Sequence, residues 1–195
     1  MSETFYIADT HFGHKNILKL CNRPFESIEQ MNTHIIQNWN NKVKNSDHVY
    51  IVGDMFFKCE NIEDILKNLK GKKHLILGNH DEWAKNENLK GLFESIDLMC
   101  EIQDKCRTIV LCHYPLVTFK HQNRKNAFMV HGHIHNKQDG DFWPILKSRE
   151  NILNAGVDIN GFAPVTLDEM ICNNNAYKHS PENTLAKNQG GGIIT

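Results

Sequence analysis

Short apolar runs recur along the first half of the chain, and each stops at a small polar cluster. Residues 4–8 (Thr-Phe-Tyr-Ile-Ala) read as a buried strand ending at Asp9. Residues 27–43 read as an amphipathic helix: Ile28, Met31, Ile35, Trp39 and Val43 fall on one face, and Ser27 with Gln30 resembles a capping box. A second strand, 48–52, runs into Gly53-Asp54. A second helix is predicted at 61–70, with Gly71 as its stop. A third strand, 74–77, runs into Gly78-Asn79. After residue 95 strand-like runs dominate, at 97–103, 107–112, 127–131, 151–155 and 165–172. Strands alternating with helices, then mostly strands, predict a pair of mixed sheets with helices outside. Residues 173–195 are polar, Asn-rich and end in three glycines. They read as a weakly structured tail behind a single domain at 1–172.

Composition narrows this reading. The chain has 195 residues, 40% hydrophobic and 23% charged, as an ordinary soluble domain has. A net charge of −1 disfavours a broad basic face for long nucleic acid. No apolar run is long enough to span a bilayer, so no membrane partner is expected. The start, Met1-Ser2-Glu3-Thr4, lacks the features of a signal peptide, and a cytoplasmic location is expected. The 6 cysteines include no Cys-x-x-Cys pair, which argues against a thiolate zinc site.

The polar clusters carry the chemistry. Seven of the 12 histidines lie in or beside them. In Asp9-Thr10-His11, residues two apart on an extended segment would share a side, so a carboxylate and an imidazole could hold one ion. Asp54 offers two oxygens, enough to bridge two ions. Asn79 offers a neutral amide oxygen. The adjacent His80 would point elsewhere and suits an electrophilic or proton-donating role toward substrate. His113 follows the strand at 108–112. His133 and His135 repeat the i, i+2 spacing, whereas His131 would face away and reads as structural. Each cluster alone is compatible with a polar turn; five in series are not easily a coincidence. Together they supply two carboxylates, one amide and four imidazoles, four ligands per ion if one carboxylate is shared. Such a set suits Mn²⁺, Fe²⁺, Zn²⁺ or Ni²⁺ better than Ca²⁺ or Cu(I). Two adjacent divalent ions typically activate water against a phosphate ester.

The order Asp-x-His, Gly-Asp, Gly-Asn-His-Asp, His, Gly-His-x-His resembles the signature of the calcineurin-like metallophosphoesterases. The match spans residues 9–135, and Asn154-Ala155-Gly156-Val157-Asp158 resembles a late turn of small members. The chain looks most like small stand-alone phosphoesterases of bacteria and phages. The resemblance implies a four-layer α/β/β/α sandwich of two mixed sheets flanked by helices. It assigns Asp9, His11, Asp54 and His135 to one metal, and Asp54, Asn79, His113 and His133 to a second, with Mn²⁺ the expected ion. His80 would meet the scissile phosphate, and Asp54 and His80 would carry catalysis. Residues 55–58, Met-Phe-Phe-Lys, replace the Val-Asp-Arg-Gly of the related protein phosphatases. A phosphoprotein phosphatase is therefore not expected, and Asp81 is the nearest carboxylate that could orient His80.

The expected reaction is in-line attack of a metal-bridging hydroxide on a small, nucleotide-like phosphodiester. The alternatives are a phosphomonoesterase, a nuclease acting on short oligonucleotides, a non-catalytic scaffold or a mononuclear structural site. Substrate selection falls to the rim, where His14, Arg23 and Arg124 are the expected contacts. Lys120 and Lys125 read equally well as a solvated loop.

Overall fold

The computed structural model describes residues 2–180. The first half runs β1 (Thr4–Ile7), α1 (Ile17–Leu20), α2 (Ile28–Lys42), β2 (His48–Val52), α3 (Ile62–Asn68) and β3 (Lys72–Ile76). A 3₁₀ turn at Asp81–Lys85, α4 (Glu87–Lys90) and β4 (Ser95–Asp97) follow. The second half runs β5 (Met99–Asp104), β6 (Arg107–Cys112), β7 (Ala127–His131), α5 (Trp143–Lys147), β8 (Ile152–Asn154) and α6 (Leu167–His179).

Two four-stranded sheets result, ordered β1-β2-β3-β4 and β5-β6-β7-β8. The first is wholly parallel rather than mixed. Each return from β1 to β2 and from β2 to β3 goes through a helix, and a helical crossover joins strands in the same direction. The second sheet is mixed, with β5 antiparallel to β6 and β6, β7 and β8 parallel.

Three apolar clusters make four layers. Phe5, Ile7, Val49 and Ile51 pack against Met31, Ile35 and Trp39 of α2 and Leu66 of α3. Tyr6, Val52 and Ile76 face Ile109, Leu111, Val130 and Leu153 between the sheets. Val110, Met129 and Ile152 pack against Trp143 and Leu146 of α5. The α/β/β/α arrangement expected of the chain is the one observed.

Local boundaries follow ordinary rules. Ser27 caps α2 by accepting from Gln30 N at 3.1 Å. Gln30 returns to Glu26 N rather than to Ser27 N, at 2.7 Å. Two expectations fail. The run 97–103 is not one strand: β4 ends at Asp97 and β5 begins at Met99, in the other sheet. Leu98, 74% exposed, is the crossing point. The run 165–172 is not a strand either. Thr166 opens α6 with a full capping box to Glu169, and the helix continues to His179. The polar stretch from 173 therefore begins inside a helix, and Asn174 and Lys178 are buried. The remainder of the expected tail, 181–195, lies outside the described residues.

Candidate metal centre

Because β1, β2 and β3 are parallel, and so are β6, β7 and β8, the loops after them gather at the carboxyl edges of the two sheets. Backbone hydrogen bonds lace these loops together: Asp9 N to Gly53 O at 3.0 Å, His11 N to Asp54 O at 3.1 Å, Ala8 N to Ala155 O at 2.9 Å and Gly132 N to His113 O at 3.0 Å.

The ligand residues leave their strands by sharp turns. Asp9, His11, Asp54, His133 and His135 all have φ between 50° and 71°. The i, i+2 pairs are therefore not extended segments; each member sits in the left-handed region, which costs free energy for a non-glycine residue. Both pairs still converge, for a different reason from the one expected. Two motif glycines serve close approach. Gly53 has φ +85°, and a Cβ there would collide with His113 Nδ1; a Cβ on Gly78 would collide with Asp54 Oδ1.

The side chains form two clusters. Ligand atoms of Asp9, His11 and His135 lie within 4.8 Å of one another, as do those of Asp54, His113 and His133. Asp54 Oδ2 lies between the clusters, 3.7 Å from His11 Nε2 and 3.5 Å from His113 Nε2. Asn79 Oδ1 is 3.1 Å from His113 Nε2, which adds the amide to the second cluster. All seven residues expected to hold metal are thus brought together.

The residues present fit bound divalent metal. Asp9 Oδ2 and both ring nitrogens of His11 are buried without a hydrogen-bond partner. Buried polar atoms rarely go unpaired, and an ion would satisfy these. Burial pushes the Asp9 carboxyl up to about 6, and burial with help from His135 drives His11 down to about 2, leaving it neutral as a ligand must be. Burial also lowers His113 and His135, but bonded carboxylates outweigh it: Asp54 lifts His113 to about 9, and Asp158 lifts His135 to about 10.

Supporting residues hold the candidate ligands in place. His113 Nδ1 is 2.9 Å from Val52 O, which turns Nε2 toward Asn79 and Asp54 as its candidate ligand atom. His135 Nδ1 meets Asp158 Oδ2 at 2.9 Å. Asp158 in turn accepts two bonds from Arg23, at 2.8 and 3.0 Å. A carboxylate behind a ligating imidazole sets its ring orientation and raises its basicity. Cys21, His135 and Asp158 form a third close group, but both Asp158 oxygens are already engaged, so this group is the backing of His135. Asn154 donates to His135 O at 2.8 Å and accepts from Gly156 N at 2.7 Å, so the late Asn-x-Gly turn braces the same ligand. Only that resemblance pointed toward Asp158; its role was not visible from spacing.

Asp81 does not orient the His80 ring. It is buried and accepts from the backbone N–H of Asp54, Met55 and Gly78 at 2.8–3.0 Å and from Trp83 Nε1 at 2.9 Å. It pins the Gly53 turn to the Gly78 turn. His80 is exposed, with its ring 5.6 Å from that of His11 and its backbone N–H donating to Asp54 Oδ1 at 2.9 Å. His14 sits nearby, 5.3 Å from His11 between ring centres.

The two arginines expected at the rim are elsewhere. Arg23 is 5% exposed and turned inward, onto Asp158 and the carbonyls of Asp9 and Thr10. Arg124 precedes β7, beside the start of β6, where Thr108 N bonds Asn126 O at 2.9 Å. The ligands follow the far ends of those strands. At about 3.3 Å per residue, Arg124 is roughly a strand length, about 16 Å, from the centre. The loop after His113 has to cross back before β7 can run parallel to β6.

Residues 3–151 match the model of the calcineurin-like phosphoesterase superfamily domain. The chain belongs to that superfamily. It is 31% identical to an uncharacterized protein of Methanocaldococcus jannaschii over 174 residues, 88% of this chain and 90% of that one. It is also 31% identical to the gene 66 protein of Mycobacterium phage L5, over 83% of this chain and 89% of the relative. Among solved structures, a protein of unknown function from Aquifex aeolicus superposes with a TM-score of 0.68 at 28% identity, covering 87% of this chain and 97% of its own. The five motifs of this phosphoesterase-family chain thus coincide with the clusters that the fold assembles. No helix among the described residues is long and apolar enough to cross a membrane.

Proposed function

We propose that this chain is a two-metal hydrolase of small phosphodiesters, working in the cytoplasm with manganese as the preferred ion. The observation that carries this reading is the position of Asp54, whose carboxylate lies between the imidazoles of two separate ligand clusters. Two divalent ions bound there would supply an activated water and offset charge on the phosphoryl oxygens. Asp9, His11, Asp54 and His135 would hold one, and Asp54, Asn79, His113 and His133 the other. His80 borders the ligands and is free to donate to a phosphoryl or leaving oxygen, stabilising charge as it develops. His14, beside His11, suits a contact to a further phosphate oxygen.

Preference for a diester rests on the charge around the site. Guanidinium groups are favoured partners of a dianionic phosphate because they bind it through two bonds. Arg23 is committed to Asp158, Arg124 is remote, and Arg107 opens β6 at that same remote edge. A singly charged diester asks for less compensation than a monoester. The substrate proposed is a small phosphorylated molecule of nucleotide size, and no long nucleic acid is proposed as a partner.

The test loads the protein with manganese, counts bound metal and follows bis-4-nitrophenyl phosphate against 4-nitrophenyl phosphate. Two ions per chain and faster diester turnover are expected. Asp54→Asn should lose most binding of both ions and turnover by on the order of a hundredfold or more. Full activity and two ions in that variant would sink the scheme.

A further inference from the structure

A cavity of about 360 Å³ opens beside the candidate centre, lined in part by Phe57, Lys58, Ile62, Asn79, His80 and Trp83. Its size lies within the roughly 300–1,000 Å³ of small-molecule sites. Asn79 and His80 belong to the centre already described, so a molecule whose phosphate reaches the ligands can extend into this space. The remaining wall joins an apolar part (Phe56, Phe57, Ile62, Trp83) to Lys58, Cys59 and Glu82.

The aromatic walls are held in position. Trp83 donates from Nε1 to Asp81 Oδ1 at 2.9 Å and meets Phe56 edge-on at 4.9 Å. Phe57 is half-buried, with the His14 ring at 4.2 Å and the His80 ring edge-on at 5.0 Å. It therefore stands between two imidazoles of the site. Lys58 Nζ lies 5.5 Å from the centre of the Phe57 ring. The apolar part of this wall, Phe57, Ile62 and the Trp83 ring whose N–H is spent on Asp81, has no hydrogen bond to give a sugar or a peptide. It offers broad, preplaced faces to a flat ring, and displacing water from them is favourable.

We infer that this cavity is the leaving-group subsite, and that it selects phosphoesters whose leaving alcohol carries a planar aromatic ring, with Phe57 as the residue that decides specificity. The assignment rests on the phosphoesterase reading for the chemistry at its inner end.

Binding of non-hydrolysable phosphonates to the full-length, manganese-loaded protein tests this, read by calorimetry. Phenylphosphonate is compared with methylphosphonate, and the phosphonate analogue of adenosine monophosphate with that of ribose 5-phosphate. At least one ring-bearing ligand should bind about tenfold or more tighter than its ring-less partner, in line with the usual strength of ring stacking. The phenyl and adenosine arms separate a simple aryl group from a nucleobase. Phe57→Ala should cut that preference to about twofold or less and leave methylphosphonate affinity and metal count unchanged. Ile62→Trp, which fills the cavity from another wall, should do the same. No preference for either ring, including no measurable binding, or a preference kept in both variants would overturn the assignment. Because binding is read without turnover, a protein that prefers the ring but hydrolyses no ester would fail the hydrolase reading and keep the subsite.

Discussion

Arg23 illustrates how a residue's chemistry can be evident while its place is not. Arginine near a phosphate site invites a substrate role, yet this guanidinium spends its donors on Asp158, Asp9 O and Thr10 O. Arg23→Ala would leave the buried Asp158 facing His135 alone. Breaking such a pair costs about 3–5 kcal/mol. Thermal unfolding should fall by on the order of 10 °C in a domain of this size. Arg124→Ala, at the remote edge, should leave both melting temperature and turnover within error. A loss of turnover in the second variant would restore Arg124 to the rim. The candidate metal ligands were legible because residue type and position at a strand end suffice to gather them once the strands are parallel. The rim was not, because the position of a loop residue depends on which way the chain crosses after His113. Asp158 and Asp81 escaped for a related reason: each acts on a partner more than 20 residues away.

Elements with a strong apolar stripe were legible from spacing, and α2 is the plainest case. Helix α6 was not, because its inward stripe is only half apolar: Leu167, Met170, Asn174 and Lys178 are its buried positions. The two polar members have specific partners. Asn174 accepts from Asn154 N at 2.8 Å and donates to Asn154 O at 3.0 Å, so it pairs the edge of β8. Lys178 donates to Arg149 O and Ile152 O, both at 2.7 Å. Asn174→Ala should therefore strand the buried Asn154 N–H, at about 1–3 kcal/mol, while Asn154 O keeps its bond from Asn160 Nδ2 at 3.0 Å. Chemical denaturation should show a lower midpoint with an unchanged slope. A change below a few tenths of a kcal/mol would mean that the polar stretch after 172 is dispensable. The end of β7 offers a second test. His131 is buried with Nδ1 on Gly132 O at 2.8 Å, and burial pulls it down to about 4. The unfolded chain takes up that proton near 6.5, the folded chain only near 4. Stability should thus fall as pH drops through this window, by on the order of 3 kcal/mol from this residue. In chelated protein, His131→Leu should flatten the wild-type slope between pH 6.5 and 4; equal slopes would remove His131 from the account.

At the scale of the molecule, the site is where the fold is least self-sufficient. Five ligand residues occupy left-handed backbone, and Asp9 Oδ2 and both nitrogens of His11 are buried without partners. The two sheets meet here through loop hydrogen bonds such as Ala8 N to Ala155 O, so these costs fall on the joint between the halves. Bound cations would offset them, and whatever binds only the folded state stabilises it by mass action. Free metal at a hundred times its dissociation constant contributes about 2.7 kcal/mol per site. Two sites should therefore raise the melting temperature by on the order of 10 °C or more over chelated protein. The increase should keep growing with metal concentration. Ligand protonation competes with binding, so the gain should be larger at pH 8 than at pH 6. Calorimetric scans with excess chelator and with graded manganese would measure this directly. In Asp54→Asn, where one carboxylate serves both clusters, most of the increase should vanish at once rather than by half. A metal-dependent rise in that variant equal to half of the wild-type value would mean that the two clusters bind independently, and Asp54 would lose its bridging role.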